Sequence, residues 1–170
     1  VSKIRKVVIA AFGDESRLAV CEAELPDPIA GEVQLIVEYS IVSGSDVNMR
    51  RGTYPLQKKA PLTPGYSVLG TVAVSGEGCS RFKIGDRVAC LSKYEGQAER
   101  INLPERFLVP VPDGVDRKAA VALVLDWVTA HQMLHRSARV AWIGAVRGLG
   151  GVDAVFDPLG YESFDQSYSV

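Results

Sequence analysis

The chain is 170 residues long and 47% hydrophobic, enough to bury an ordinary core in one domain, or in one domain and part of a second. Its 19 basic and 20 acidic residues leave a net charge of -1 and form no block of like charge, which argues against a nucleic-acid footprint and against a polybasic membrane patch. Cys21, Cys79 and Cys90 lack metal-ligand spacing and read as reduced thiols, and the opening VSKIRKVVIAAFG lacks signal-peptide length, so a cytoplasmic protein is expected.

Lys6–Ala11 and Leu18–Glu24 are apolar or alternating runs on either side of the turn residues Phe12 to Ser16, and they predict a hairpin. Pro26, Pro28 and Gly31 break it, and Glu32–Ser43 then alternates as a half-buried strand does. A short helical turn is expected over Asp46–Arg51, stopped by Gly52-Thr53-Tyr54-Pro55, and the lysine-bearing loop Gln57–Pro61 follows. Leu69–Val74 and Arg87–Leu91 read as short strands, with turns at Gly76-Glu77-Gly78 and Ile84-Gly85-Asp86. After the Lys93-Tyr94-Glu95-Gly96 turn, Ala98–Leu103 and Phe107–Val111 continue the set, and Pro104, Pro110 and Pro112 confine them to sheet edges or strand ends. Together these predict a small β-barrel. Beyond Pro112-Asp113-Gly114, Arg117–Leu134 is helical and apolar nearly all round, so it is expected to lie buried between layers.

A dinucleotide-binding unit would next supply a strand, a glycine-rich turn and a helix. Gly144 to Gly151 has glycines at superficially suitable spacing, but they run into the apolar strand Val152–Asp157. With no helix to open, their amides cannot converge on a pyrophosphate.

The stretch Pro64–Val88, PGYSVLGTVAVSGEGCSRFKIGDRV, combines a PG pair, the glycine pattern G-x-V-x-x-x-G-x-G and F-x-x-GDRV. On these residues the chain resembles the N-terminal substrate domain of medium-chain dehydrogenases/reductases, and within them the zinc-free quinone oxidoreductase branch. The resemblance implies a mainly β fold: a GroES-like β-barrel over 1–115, a connecting helix in 116–140, and an incomplete α/β Rossmann-type segment in 141–170. Residues 142–160, with Trp142, Val146, Arg147 and GVDAVFDPLG, resemble a segment that family members carry well past their nucleotide fingerprint. A discontinuity between Val140 and Ala141 is therefore expected, with about 50–60 residues fewer than an ordinary βαβαβ half. A longer protein and a shortened one both accommodate it.

In the zinc-dependent branch the catalytic ligands come from a cysteine and a His-Glu pair at positions matching Ser43, Tyr66 and Ser67, none of which is a good zinc ligand, so no zinc is expected. His131 and His135 are four apart but lack the intervening carboxylate of a HExxH site, and read as packing and solvent histidines. Without metal, the resemblance implies reduction of quinones, enones or related activated alkenes by NADPH or NADH. The loop Ser43–Tyr54 then carries the catalytic candidates: Ser43, where the family usually has asparagine; Asp46, which suits either a helix cap or a proton donor; and Tyr54, which suits either donation to a substrate oxygen or packing. Thr129, in the helix the family places beside its cofactor, and Pro158 and Leu159, after a strand of the sheet, are the cofactor-binding candidates. The implied partners are a small-molecule substrate and a second copy of the chain, as family members commonly form two-subunit assemblies. The alternative is a non-redox binding module, or a cofactor-independent enzyme, using the same GroES-like cleft.

Overall fold

A computed structural model describes residues 1–134. Strands dominate them, in two sheets. β1 (Ser2–Ile9) and β2 (Leu18–Leu25) form an antiparallel hairpin in which Ser2 pairs with Leu25 and Ile9 with Leu18. The second sheet is antiparallel and built from β3 (Glu32–Ser40), β4 (Ser67–Ser75), β5 (Arg87–Leu91), β6 (Arg100–Pro104) and β7 (Val109–Pro110), in the order β6-β3-β4-β5-β7. The two strands that contain proline, β6 and β7, are its two edges, where a missing backbone donor is tolerated. The hairpin joins this frame through bridges between Lys6 and Ala98 and between Ile9 and Leu62.

The main core lies on one face of the five-stranded sheet: Val33, Leu35, Val68, Val72, Val88, Cys90, Ile101 and Leu103, closed by Phe82 and Leu108. Within each strand these residues are separated by an even number of positions, two in most and four between Val68 and Val72, as a sheet with one buried face requires. A smaller cluster of Ile9, Met49 and Leu62 sits under the loop region that carries Tyr54, Tyr66 and Tyr94. Burial pushes the Cys90 thiol up to about 11, so it behaves as a small apolar core residue. Cys21, Cys79 and Cys90 are all free thiols.

Several elements differ from their expected limits. The third strand stops at Ser40, because Ser43 turns to cap a helix, α1 (Gly44–Arg51), which therefore starts two residues before Asp46. Phe107 lies in a 3-10 turn, Glu105–Phe107, which leaves only two residues to β7. The expected helix Arg117–Leu134 divides into α2 (Arg117–Ala122), a π-type turn (Leu123–Trp127) and α3 (Val128–Gln132). Asp116 caps α2 by accepting from the amide of Ala119 at 2.8 Å. Only Ala120 and Val121 are buried along this stretch, against Leu69, while Leu123, Trp127 and Val128 are exposed. The all-round apolar pattern thus does not translate into all-round burial among the described residues. Asp126 is also exposed and needs no buried partner.

The chain divides into two compact units, Val1–Leu125 and Asp126–Val170. The expected discontinuity at Val140, the 141–170 segment, His135, Pro158 and Leu159 lie outside the described residues. No helix among the described residues is long and apolar enough to cross a membrane.

Candidate active site

The site is assembled around the first turn of α1. Ser43 is its N-cap, and Asp46, at the third helical position, reaches back so that Oδ2 accepts from the Ser43 amide at 3.0 Å and from Ser43 Oγ at 3.1 Å. The other oxygen, Oδ1, accepts from the amide of Gly65 at 2.8 Å. Asp46 is buried, and one carboxylate therefore ties the helix start to the PG loop that precedes β4. Two readings of Asp46 were open from the sequence. The geometry gives it the capping box together with a long-range anchor, and both oxygens are engaged.

The anchored loop is clamped from its other side. Ser92 Oγ donates to the carbonyl of Gly65 at 2.7 Å, the amides of Ser92 and Lys93 donate to the carbonyl of Tyr66, and the amide of Gln97 donates to the carbonyl of Pro64 at 3.0 Å. The backbones of Gly65 and Gly96 pack so closely that a Cβ on Gly65 would lie 2.3 Å from the amide nitrogen of Gln97, and Gly65 has φ +119. Only glycine serves there.

This clamp presents Tyr66 to Tyr54. The Tyr54 hydroxyl donates to the Tyr66 oxygen at 3.0 Å, and the rings meet edge to face with centroids 5.9 Å apart. Gln57 fixes the base of Tyr54 by accepting from its amide at 3.0 Å while donating to the carbonyl of Met49. Desolvation and the bond to Tyr66 push the Tyr54 phenol up to about 12, so it stays protonated at any physiological pH. The Tyr66 proton has no acceptor among the described residues, and the pair therefore ends in a free O–H donor. Ser43 Oγ also contacts Ser45 Oγ at 2.6 Å, which leaves a lone pair able to accept the N–H of a carboxamide. That donor and acceptor set fits the amide end and the reduced-substrate side of a nicotinamide site.

Ser43, Asp46 and Tyr54 are thus brought together, with Tyr66 as the member that sequence reasoning considered only as a poor zinc ligand. Its partnership with Tyr54 joins residues 12 apart through a turn, and no local pattern encodes it. Thr129 lies half-buried in α3, in the second compact unit. Among the described residues no group of three or more histidine, cysteine, aspartate or glutamate side chains is placed to hold a metal ion. A cavity of about 460 Å³ lined by Phe82, Asp86, Arg87 and Pro110 shares no residue with the tyrosines; size alone does not make it the site, because it lacks their convergent hydroxyls.

An antiparallel β-sheet frame with a short capped helix between its third and fourth strands defines a fold of the GroES-like type. Residues 29–113 match the alcohol dehydrogenase GroES-like domain. The chain belongs to this family, in the quinone oxidoreductase-like branch of the medium-chain dehydrogenases/reductases. It is 31% identical over 138 residues to the mouse (Mus musculus) synaptic vesicle membrane protein VAT-1 homolog-like, covering 81% of this chain and 33% of that protein. It is 32% identical to the quinone oxidoreductase of Rattus norvegicus, covering 80% of this chain and 42% of the relative. The crystal structure of the human VAT-1 homolog-like protein superimposes with a TM-score of 0.77 at 31% identity, over 82% of this chain and 45% of that one. A mycobacterial protein complexed with NADPH superimposes with a TM-score of 0.71 at 28% identity, over 80% of this chain and 42% of that one. The chain therefore spans about a third to two-fifths of the length of these curated relatives.

Proposed function

We propose that the protein is an NAD(P)H-dependent, zinc-independent oxidoreductase that reduces quinones, enones or related activated alkenes. The observation that carries this reading is the Tyr54–Tyr66 hydroxyl pair, held by the Asp46–Gly65 anchor and ending in a free proton donor. The relatives' names, quinone oxidoreductase among them, support the reaction class.

A bound reduced nicotinamide would supply hydride to the electron-poor carbon of the substrate. Tyr66 donates a hydrogen bond to the substrate oxygen, where negative charge grows as hydride adds, and Tyr54 strengthens that donation by donating to the Tyr66 oxygen in turn; a proton from solvent then completes the reduction. Because Tyr54 is far from ionising, the pair acts as a donor and not as a base. Ser43 accepts from the carboxamide, a role that the asparagine usual in the family also fills. Asp46 positions both Ser43 and the Tyr66 loop without touching the substrate. Thr129, Pro158 and Leu159 are assigned to the cofactor in this reading, the working form is a homodimer, and the location is cytoplasmic.

Equilibrium binding of NADPH and NADH to the protein, followed by oxidation of the bound nucleotide with 1,4-naphthoquinone, tests the reading. Saturable binding and quinone-dependent oxidation are expected, with kcat reduced about a hundredfold in Tyr66→Phe for loss of one donor to the developing charge. Binding of quinone without any binding of nucleotide would replace the reading with the non-redox use of the same cleft.

A further inference from the structure

Two lysines stand over the tyrosine platform without a counter-charge. Lys58 Nζ lies 4.7 Å from the centroid of the Tyr94 ring, and Lys93 Nζ lies 5.5 Å from Tyr94 and 5.8 Å from Tyr54. Neither forms an ion pair among the described residues. The nearby carboxylates are already engaged: Asp46 accepts from Ser43 and from the Gly65 amide, and Glu95 pairs with Lys6 at 3.1 Å. Two ammonium groups thus share one aromatic ring, where each is attracted by the ring and repelled by the other.

The backbone around them is held in an uncommon conformation. Among the described residues the non-glycine positions with left-handed φ are Leu56 (φ 53), Lys93 (φ 67) and Glu95 (φ 64), and all three lie in the two loops that carry Tyr54, Lys58, Lys93 and Tyr94. Such conformations cost energy and persist where the surroundings over-determine them, which is common at ligand clamps. Here the Lys58 amide donates to the Tyr94 hydroxyl at 3.2 Å and holds the two loops together. Leu56, in the first of these loops, is 99% exposed.

Half-buried aromatic rings, a free hydroxyl donor and two unneutralised cations form a surface complementary to a conjugated molecule that also bears negative charge. We propose that the substrate class at this site is an activated alkene or quinone carrying an anionic group, a carboxylate, sulfonate or phosphate, which Lys58 and Lys93 bind while Tyr66 takes the reducible oxygen. This inference rests on the proposed function and narrows it.

Calorimetric titration of the protein with 1,4-naphthoquinone-2-sulfonate and with uncharged 1,4-naphthoquinone at low ionic strength tests it. The sulfonate is expected to bind about tenfold more tightly, with the advantage shrinking as salt is added. In Lys58→Gln, and in Lys58→Gln combined with Lys93→Asn, the preference is expected to fall stepwise toward unity while the affinity for the neutral quinone is kept. Asparagine is chosen at position 93 because it tolerates left-handed backbone, and Lys58 is exposed, so its single variant folds regardless. Equal affinity for the two quinones overturns the anionic-substrate inference and leaves the reductase reading standing. A preference undiminished in the double variant also overturns it, and failure of both quinones to bind removes the reductase reading and the inference together.

Discussion

Tyr54 shows how a residue's chemistry depends on its neighbour. An isolated phenol near pH 10 would be half ionised, whereas here burial and donation to Tyr66 hold the proton to about 12. In Tyr66→Phe the partner oxygen is lost and only desolvation remains as the larger cause, so the Tyr54 ionisation is expected to move down part of the way toward 10. Alkaline titration with tyrosines labelled at the ring carbon bearing oxygen reads this directly. An unchanged Tyr54 titration in the variant would mean that the hydroxyl pair is not formed in solution. The sequence placed Tyr54 at a turn and left donation and packing level. In the structure its ring packs on the Ile9, Met49 and Leu62 cluster, and its hydroxyl donates to Tyr66.

At the scale of the elements, the site depends on two loops approaching one another more closely than side chains permit. Gly65 combines φ +119 with a Cβ position that would collide with the backbone of Gly96 and Gln97, and neither neighbour is a flexible side-chain end that could move aside. Gly65→Ala is expected to cost about 3 kcal/mol, in the range of left-handed strain with a backbone clash added, and to release the Asp46 anchor with it. Chemical denaturation measures the loss, and the Tyr54 titration above, returning toward its ordinary value, reports whether the tyrosine pair separates. The PG pair and the strand that follows it were legible in the sequence because glycine and proline constrain local dihedrals whatever surrounds them. The helical character of 117–134 was legible, and its one-sided burial was not. Its apolar periodicity speaks only of which faces could be buried, and the neighbours that bury Ala120 and Val121 cover one face, leaving Trp127 and Val128 outside.

For the whole barrel, Glu105 is a titratable group that joins distant parts of the chain. It is buried in the turn after β6 and accepts from the amides of Ser80, Arg81 and Phe82 at 3.2, 2.7 and 3.2 Å, closing the β4–β5 connection over the core. Burial alone would raise its pKa, but the three amide bonds outweigh burial and hold the carboxyl below the usual glutamate range. A carboxylate depressed in the folded state contributes stability that is complete above its unfolded pKa and is lost as pH falls through the folded one. Glu105→Gln is therefore expected to lower the urea midpoint at neutral pH, and the gap to the parent is expected to close on acidification below the ordinary glutamate pKa. A gap independent of pH would assign the effect to packing instead.

The sequence by itself determined the strand-and-turn frame and the confinement of the proline-bearing strands to sheet edges or strand ends, which follow from local rules of dihedral preference and alternation. Its resemblance to a known family pointed to Ser43, Tyr66 and Ser67 as positions of interest. Tertiary structure decided which groups meet: the hydroxyls of Tyr54 and Tyr66, the Asp46 carboxylate with the Gly65 amide, and the Lys93 ammonium over two rings at once. Such pairings arise from loops brought together by a sheet whose strand order differs from chain order, and a distance that is set by closure of the fold leaves no mark in the spacing of residues along the chain.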